Sequence, residues 1–174
     1  MADNLPSGLY LVCTPIGNRG DITLRTLEIL KQCDILISED TRVAKKLLSM
    51  YSIPLRGRHL LSYKDKSTHV ARQKIIEFIK ANNSVVLMSD AGSPLISDPG
   101  HKLVSDVIFS GESLFSLPGA SSVITALSLS GLPVDQFFYY GFLPTKKGKM
   151  KEELMKIKEY SCTSVFFESP KRLI

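Results

Sequence analysis

The feature that most constrains this chain is a regular alternation of short apolar runs with longer segments of helical periodicity. The apolar runs span residues 9–13, 34–38, 60–61, 84–88 and 113–117, and the helical segments begin near residues 24, 43, 70, 100 and 123. Short strands that alternate with helices are typical of right-handed βαβ units in a mainly parallel sheet. The sequence therefore predicts an α/β fold.

The length of 174 residues is sufficient for one domain or two small ones. The least regular stretch, residues 118–122, predicts a boundary between an N-terminal lobe over 1–117 and a C-terminal lobe over 118–174. In the second lobe, a strand is predicted over 163–167 and the first turn of a helix over 170–174. Because the sequence stops where that helix begins, we expect the C-terminal lobe to be incomplete.

The cysteines, the histidines and the N-terminus narrow the class of protein. Cys13, Cys33 and Cys162 are odd in number and widely spaced, which argues against a disulfide framework and against a zinc site. The histidines are dispersed along the chain, so no metal site is expected. Neither a signal peptide nor a membrane span is predicted near the N-terminus. These features favour a cytoplasmic protein.

Charge is distributed unevenly, although the net charge is only +5. Lys and Arg dominate from residue 42 to residue 80 and again from 146 to 151, and the charged residues between these runs are mostly acidic. Two such basic runs favour a polyanionic partner such as nucleic acid, with solvated helix faces as the alternative. The candidate contacts to RNA phosphate are Arg42, Lys45, Lys46, Lys146 and Lys147.

Three of the predicted strands end in loops rich in Gly, Pro, Ser or Asp, at residues 14–18, 89–94 and 118–122. Because ligands of open α/β sheets bind beyond the carboxyl ends of strands, we expect these loops to line one pocket. The chain has neither a G-x-G-x-x-G fingerprint nor the Gly-Lys-Ser or Gly-Lys-Thr of a Walker A loop, which argues against nicotinamide and P-loop nucleotide binding. A tight βα turn is the alternative explanation for each loop taken alone.

Longer blocks of the sequence resemble a known family. The blocks lie at residues 14–18, 20–25, 39–42, 89–100, 117–119, 130–133 and 141–148, and they read TPIGN, GDITLR, EDTR, SDAGSPLISDPG, LPG, SGLP and GFLPTKKG. Their composition and order closely resemble the bacterial ribosomal RNA small-subunit methyltransferase I family, which belongs to the tetrapyrrole methylase superfamily. The resemblance covers nearly the whole chain, from about residue 8 to the end.

This resemblance implies two α/β lobes, with S-adenosylmethionine bound in the cleft between them, and a homodimer. It also implies methylation of the ribose 2'-hydroxyl of a cytidine in 16S ribosomal RNA, so the expected partner is that RNA or the small ribosomal subunit. The family's cofactor-binding positions correspond to Pro15, Ile16, Gly17, Asp90, Ala91, Gly92, Ser93, Ile96, Gly119, Ala120, Ser121 and Ser122. No metal is required, because the positive sulfur of the cofactor already activates the methyl group.

The chain departs from the family pattern at two histidine positions. After Ser-Tyr, the family commonly has His-Glu-His-Asn-Glu, and this chain has Lys64, Asp65 and Lys66 at the first three of these positions. Lys171 likewise stands where the family often has His. Lysine at these positions favours phosphate binding over proton transfer.

The acceptor hydroxyl is protonated at neutral pH, so a base close to it is expected to assist the reaction. Asp40 and Glu39 are adjacent at a predicted strand end and are the first candidates, and Asp21 is the third. Capping of the following helix is the alternative role for Asp40. Either Asp21 or Thr23 is placed to cap the first helix.

Two other functions remain open from the sequence. Methylation of a small tetrapyrrole shares the implied fold and cofactor, but it gives no reason for the two basic runs. A non-catalytic RNA-binding lobe is the second alternative, since the chain is shorter than the family's full length. For the aromatic group Tyr139, Tyr140 and Phe142, we expect packing in the core rather than stacking on a nucleic-acid base.

Overall fold

A computed structural model describes residues 5–64 and 66–172 of the chain. The chain forms two compact units, Met1–Ser121 and Ser122–Ile174. The division into lobes after residue 117 stays a prediction.

The first unit is a five-stranded parallel sheet with the strand order β3-β2-β4-β1-β5. Its strands are β1 (Gly8–Val12), β2 (Ile35–Ser38), β3 (His59–Ser62), β4 (Ser84–Met88) and β5 (Leu114–Leu117). Its helices are α1 (Leu24–Gln32), α2 (Thr41–Met50), α3 (His69–Lys80) and α4 (His101–Phe109). The predicted α/β fold with a mainly parallel sheet is confirmed.

The central strands of this sheet are buried on both faces. Every residue of β1, β2 and β4 is buried, whereas the edge strands β3 and β5 are partly exposed. Side chains alternate between two cores: Leu36 and Val86 pack with α1 and α2, and Ile37 and Leu87 pack with α3 and α4. This two-sided burial explains why the central strands are continuous apolar runs in the sequence.

Side-chain caps fix where three of the helices begin. The hydroxyl of Thr23 accepts the Thr26 N–H at 3.1 Å and caps α1, so Thr23 rather than Asp21 has this role. The Thr68 hydroxyl caps α3 in the same way, and Asp40 caps α2. Helix α4 begins after Gly100, which offers no side chain for capping.

The second unit contains α5 (Ser122–Ser130), β6 (Phe137–Phe142), α6 (Lys147–Lys158), β7 (Thr163–Phe167) and a 3-10 turn (Pro170–Arg172). Strands β6 and β7 form a two-stranded parallel sheet with an irregularity between Tyr139 and Gly141. The sequence prediction missed β6 and α6, and the helical turn expected over 170–174 is a 3-10 turn as far as it is described.

The aromatic residues of β6 pack within this unit. The rings of Tyr139 and Phe142 each meet the Phe167 ring edge-on, with centroids 5.3 and 5.4 Å apart. Phe138 meets the Tyr160 ring at 4.8 Å. Tyr139 and Tyr140 are only partly buried and Phe142 is 58% exposed, so the core-packing interpretation of this group stays a prediction.

Among the described residues, none of the helices has the length and apolar character needed to cross a membrane.

Candidate functional site

The loops that follow β1, β4 and β5 contact one another at the carboxyl edge of the sheet. The contact follows from the strand order, because β1 lies between β4 and β5. Thr14 and Gly92 exchange two backbone hydrogen bonds, with N···O distances of 2.9 and 3.0 Å. The Ser93 hydroxyl donates to the Ala120 carbonyl at 3.3 Å. The three loops therefore meet at one edge of the sheet, and the prediction that they line a common pocket stays a prediction.

Glycine is required where these loops approach most closely. Gly92 has φ of +81°, and a Cβ there would lie 3.3 Å from Cγ2 of Ile16. A Cβ at Gly119 would lie 2.5 Å from Cβ of Cys13, which is closer than two carbon atoms can pack. Both positions therefore exclude larger residues for reasons of space or backbone conformation.

The loop from Ser89 to Gly100 has an unusual backbone. Leu95 and Ser97 have φ of +73° and +57°, values that side-chain-bearing residues rarely adopt. The Ser89 hydroxyl donates to the carboxylate of Asp98, and the Thr14 hydroxyl donates to the Ser89 carbonyl at 3.0 Å. Strained backbone of this kind persists where surrounding contacts hold it, and such segments cluster at functional sites.

The predicted cofactor residues fall on these three loops with one exception. Pro15, Ile16 and Gly17 follow β1, residues 90–93 and Ile96 follow β4, and residues 119–121 follow β5. Ser122 is the first residue of α5 and belongs to the second unit, so it is not a loop residue. The side chain of Ile16 is half-buried, and Ile96 is 47% exposed.

A polar cavity of about 390 Å³ lies where β2, β3 and β4 end. Its lining residues are Glu39, Asp40, Thr41, Arg42, Ser62, Lys64 and Asp90. The Asp40 N–H donates to Oδ1 of Asp90 at 3.3 Å, and the Ser62 hydroxyl donates to the Glu39 carbonyl at 3.1 Å. The cavity thus brings Glu39 and Asp40 together with Asp90, which the sequence assigned to the cofactor.

Asp40 is occupied by two interactions with Arg42. One carboxylate oxygen accepts the Arg42 backbone N–H at 2.8 Å, which is the cap of α2. The Arg42 guanidinium donates to the same carboxylate, with Nη2···Oδ2 of 2.6 Å. These bonds lower the pKa of Asp40 to about 2. The capping alternative is therefore present in the structure, and the catalytic role of Asp40 stays a prediction.

Asp21 is not among the residues that line this cavity. Its side chain is exposed, and its backbone N–H donates to the Asn18 carbonyl at 3.0 Å in the loop after β1. A catalytic role for Asp21 stays a prediction.

The predicted RNA-binding residues lie on two helices of different units. Lys45 and Lys46 are exposed on α2, and Arg42 is exposed although it pairs with Asp40. Lys146 precedes α6 and Lys147 is its first residue, and both are exposed.

Sequence reasoning missed Thr41 and Ser62 as lining residues of the polar cavity. Both follow directly from the strand-end argument, since Ser62 ends β3 and Thr41 begins the helix after β2. From the sequence, this position at a strand end was recognised for Glu39 and Asp40 but not for the hydroxyl side chains beside them.

A comparison with known protein families shows which family the chain belongs to. Residues 8–174 match the model of the tetrapyrrole (corrin/porphyrin) methylases, which is nearly the whole sequence. The chain belongs to this family. As a tetrapyrrole methylase family member, it has the parallel sheet and strand-end loops described above in the matched region.

Individual relatives agree with the resemblance seen in the motifs. The ribosomal RNA small subunit methyltransferase I of Rickettsia prowazekii is 48% identical over 170 residues, which cover 98% of this chain and 60% of the relative. The chain therefore spans about three fifths of that relative's length. The resemblance to the ribosomal RNA small-subunit methyltransferase I family is confirmed at this level of identity.

Two solved structures show the same fold at low identity. Cobalt precorrin-4 methyltransferase, a cobalamin biosynthetic enzyme, superposes with a TM-score of 0.65 at 19% identity, over 94% of this chain and 70% of that one. Uroporphyrin-III C-methyl transferase of Thermus thermophilus, complexed with S-adenyl homocysteine, has a TM-score of 0.54 at 19% identity, over 82% of this chain and 61% of that one.

Proposed function

We propose that this tetrapyrrole methylase family member uses S-adenosylmethionine to methylate the ribose 2'-hydroxyl of a cytidine in 16S ribosomal RNA. The observation that carries the proposal is the 48% identity, over nearly the whole chain, to a relative named ribosomal RNA small subunit methyltransferase I. Because the chain spans 60% of that relative, the activity is proposed for the protein that contains this chain.

The three strand-end loops are the proposed cofactor site. When bound, S-adenosylmethionine supplies a methyl group on a positive sulfur, which keeps the bonding electron pair as the methyl group leaves. The half-buried Ile16 and the exposed Ile96 offer apolar surface to the adenine ring. Gly92 has a positive φ, and a Cβ there would crowd Ile16, one of the residues proposed to contact the adenine ring. The donors, acceptors and apolar surface of these loops therefore fit this cofactor.

Glu39 is the proposed acceptor of the hydroxyl proton. It lines the same polar cavity as Asp40, but the carboxylate of Asp40 is held by Arg42 and has a pKa of about 2. A carboxylate with so low a pKa is a weak base, because its affinity for a proton is low. Asp40 is then a structural residue that fixes the start of α2.

The basic residues of α2 and α6 are the proposed contacts to RNA phosphates. Lys45, Lys46, Lys146 and Lys147 are exposed and free to reach a polyanion. Contacts of this kind supply affinity without sequence information.

The rest of the proposal concerns the partner and the assembly. The acceptor is 16S ribosomal RNA, either free or in the small ribosomal subunit, and the place of action is the cytoplasm, where that subunit assembles. The protein works as a homodimer. Light scattering on a size-exclusion column measures the mass directly, and a monomer at micromolar concentration would contradict the dimer.

The family's name supports a second candidate, methylation of a tetrapyrrole. The solved relatives include enzymes that act on such compounds, but at only 19% identity they show the fold alone. The two candidates differ in acceptor and agree in cofactor.

The test measures methyl transfer from labelled S-adenosylmethionine to small ribosomal subunits, to naked 16S RNA and to a uroporphyrinogen. We expect label in RNA that resists alkaline cleavage at one cytidine, because 2'-O-methylation removes the attacking hydroxyl. A rise in melting temperature with S-adenosylhomocysteine checks cofactor binding separately. Label in the tetrapyrrole alone would favour the second candidate, and binding of RNA without any transfer would favour a non-catalytic lobe.

A further inference from the structure

The polar cavity at the ends of β2, β3 and β4 differs in chemistry from the three glycine-rich loops. Its volume of about 390 Å³ is near the lower end of ordinary ligand pockets. The described residues that line it all have carboxylate, hydroxyl or cationic side chains. Such a lining suits a small, highly polar group, and it is unsuited to an adenine or other aromatic base.

Two cationic residues, Arg42 and Lys64, line this cavity, and they differ in whether a carboxylate pairs with them. The guanidinium of Arg42 is paired with Asp40 at 2.6 Å and so already has a counterion. The ammonium of Lys64 makes no ion pair with any residue in the described ranges 5–64 and 66–172. Lys64 is therefore the lining cation that no described carboxylate pairs with.

The turn that carries Lys64 is fastened to the body of the first unit. The Lys64 N–H donates to the Ser67 hydroxyl at 3.0 Å, and the Ser67 N–H donates to the Lys64 carbonyl at 2.7 Å. Arg72 of α3 donates to the Ser67 carbonyl at 3.0 Å and pairs with Asp106 of α4 at 2.5 Å. Because the Arg72 side chain is only 12% exposed, this connection anchors the end of the turn, at Ser67, to α3 and α4.

We propose that this cavity receives the acceptor ribose together with an adjoining phosphodiester, and that Lys64 pairs with the phosphate. Glu39 and Ser62 then surround the ribose hydroxyls with hydrogen-bonding groups. The inference rests on the proposed function, and it assigns the acceptor to this cavity and the cofactor to the neighbouring loops. Lys64 is a positioning residue, because it holds the phosphate and leaves the reacting oxygen to Glu39.

The experiment compares Lys64→Ala and Lys64→Arg with Lys80→Ala in the longest available chain. Lys80 is the matched control because it is an exposed lysine at the other end of α3, outside the cavity. Binding of 16S RNA is measured by filter retention over a range of KCl concentrations. Methyl transfer is measured at single turnover with saturating RNA, and binding of S-adenosylhomocysteine is measured by calorimetry.

For Lys64→Ala we expect the logarithmic salt slope of RNA binding to fall by about 0.7 to 0.9, the amount of one phosphate contact. We expect the rate at saturating RNA to fall about 100-fold, because a displaced acceptor no longer reacts efficiently. Lys64→Arg should recover most of this rate, and cofactor affinity should stay unchanged in all variants.

Three results would overturn the inference. One is a Lys64→Ala protein that matches Lys80→Ala in salt slope and rate. Another is a change in RNA affinity with an unchanged rate at saturation, which would make Lys64 a general phosphate contact outside the acceptor position. The third is a wild-type protein without RNA methylation, which refutes the proposed function itself and is recognised before any variant is compared.

Discussion

The neighbouring carboxylates Glu39 and Asp40 have different surroundings, although the sequence presents them as equivalent candidates. Asp40 caps α2 and is held by the Arg42 guanidinium, while Glu39 is exposed and lines the same cavity. The difference arises from the helix: the residue just before its first turn faces the free backbone N–H groups, and Asp satisfies them well.

The first prediction separates these two residues. Glu39→Gln should lower single-turnover methyl transfer about 100-fold, the usual contribution of a general base. Asp40→Asn should lower it much less, since Asn also caps helices and the carboxylate of Asp40 is a weak base. The rates are measured with 16S RNA and saturating S-adenosylmethionine. Equal and large losses in both variants would show that Asp40 has more than a structural role.

A second prediction at the scale of single residues concerns a buried hydroxyl. Ser38 Oγ is fully buried and has no hydrogen-bond partner in the described parts of the chain. Ser38→Ala removes an unsatisfied polar group, so the free energy of unfolding should rise by about 1 kcal/mol. The measurement is urea unfolding followed by circular dichroism.

Ser84 provides the control for Ser38, because it is another buried serine of the same sheet. Its hydroxyl donates to the Asp34 carboxylate at 2.6 Å, so Ser84→Ala removes a hydrogen bond to a charged group. We expect that change to lower the free energy of unfolding by about 1 to 3 kcal/mol. A loss of stability in both variants would contradict the assignment of Ser38 as unsatisfied.

At the scale of secondary structure, the sequence identifies best the elements with the most continuous burial. The predicted strand over residues 84–88 has the same bounds as β4, whose residues are all buried. In contrast, α6 was missed because Ile157 is its only buried residue among those described, and its other positions are mostly lysine and glutamate. Strand β6 was missed although its run of Phe and Tyr side chains, like the apolar runs of β1 and β4, is typical of a strand.

In the candidate site too, some features could be predicted from the sequence and others could not. The rule that parallel strands end at one edge predicted that the loops after β1, β4 and β5 would meet. It could not predict the pairing of Asp40 with Arg42, because that contact depends on side-chain conformations at the start of α2. The anchoring of the Lys64 turn by Arg72 and Asp106 also lies beyond sequence periodicity, since it joins two helices.

The cap of α2 predicts how stability responds to acid. The pKa of Asp40 is lowered from its usual 3.8 to about 2, chiefly by the hydrogen bonds from Arg42. A lowered pKa means that the ionised form stabilises the folded state. This contribution is complete above about pH 4 and is lost as the pH falls towards 2. Urea unfolding from pH 6 to pH 2 should therefore show a loss of stability in this window that Asp40→Asn lacks.

The asparagine variant is informative because it keeps the cap and removes the titrating charge. Other carboxylates of the chain titrate in both proteins, so only the difference between the two profiles reports on Asp40. Parallel profiles for wild type and Asp40→Asn between pH 4 and pH 2 would contradict the ion pair.

A fourth prediction concerns Gly100, the residue just before the first turn of α4. Gly100 has φ of +139°, and a Cβ there would lie 2.9 Å from side-chain atoms of both Leu87 and Leu95. Gly111 also has a positive φ, of +75°, but a Cβ there would meet no described atom within 4 Å. Gly111→Ala should cost about 1 kcal/mol of unfolding free energy for the backbone conformation alone.

Gly100→Ala should cost about 1 to 3 kcal/mol more than Gly111→Ala, because it also overpacks the core. Urea unfolding of the two variants gives the difference directly. Similar costs would show that Leu87 and Leu95 move aside without penalty and that the backbone conformation is the whole reason for glycine.

At the scale of the whole molecule, the uneven distribution of charge distinguishes the proposed RNA substrate from a small tetrapyrrole. The net charge is +5, but Lys and Arg dominate residues 42–80 of the first unit and residues 146–151 of the second, and these runs include the exposed lysines of α2 and of the start of α6. A small acceptor bound in one cavity gives no reason for basic surface in both units, whereas a long polyanion contacts several sites at once.

The last prediction concerns these two groups of lysines. Lys45→Ala with Lys46→Ala should reduce the logarithmic salt slope of 16S RNA binding by about 1.4 to 1.8, because each phosphate contact releases counterions. Lys146→Ala with Lys147→Ala should give a similar reduction, and the fourfold variant should give the sum if both groups contact one RNA. Lys31 at the end of α1, outside both groups, provides the control substitution to Ala. Affinity for S-adenosylhomocysteine should be the same in every variant, since none of these lysines lies on the strand-end loops. A slope that changes with only one pair would restrict the RNA contacts to that unit, and an unchanged slope in all variants would remove the electrostatic support for an RNA acceptor.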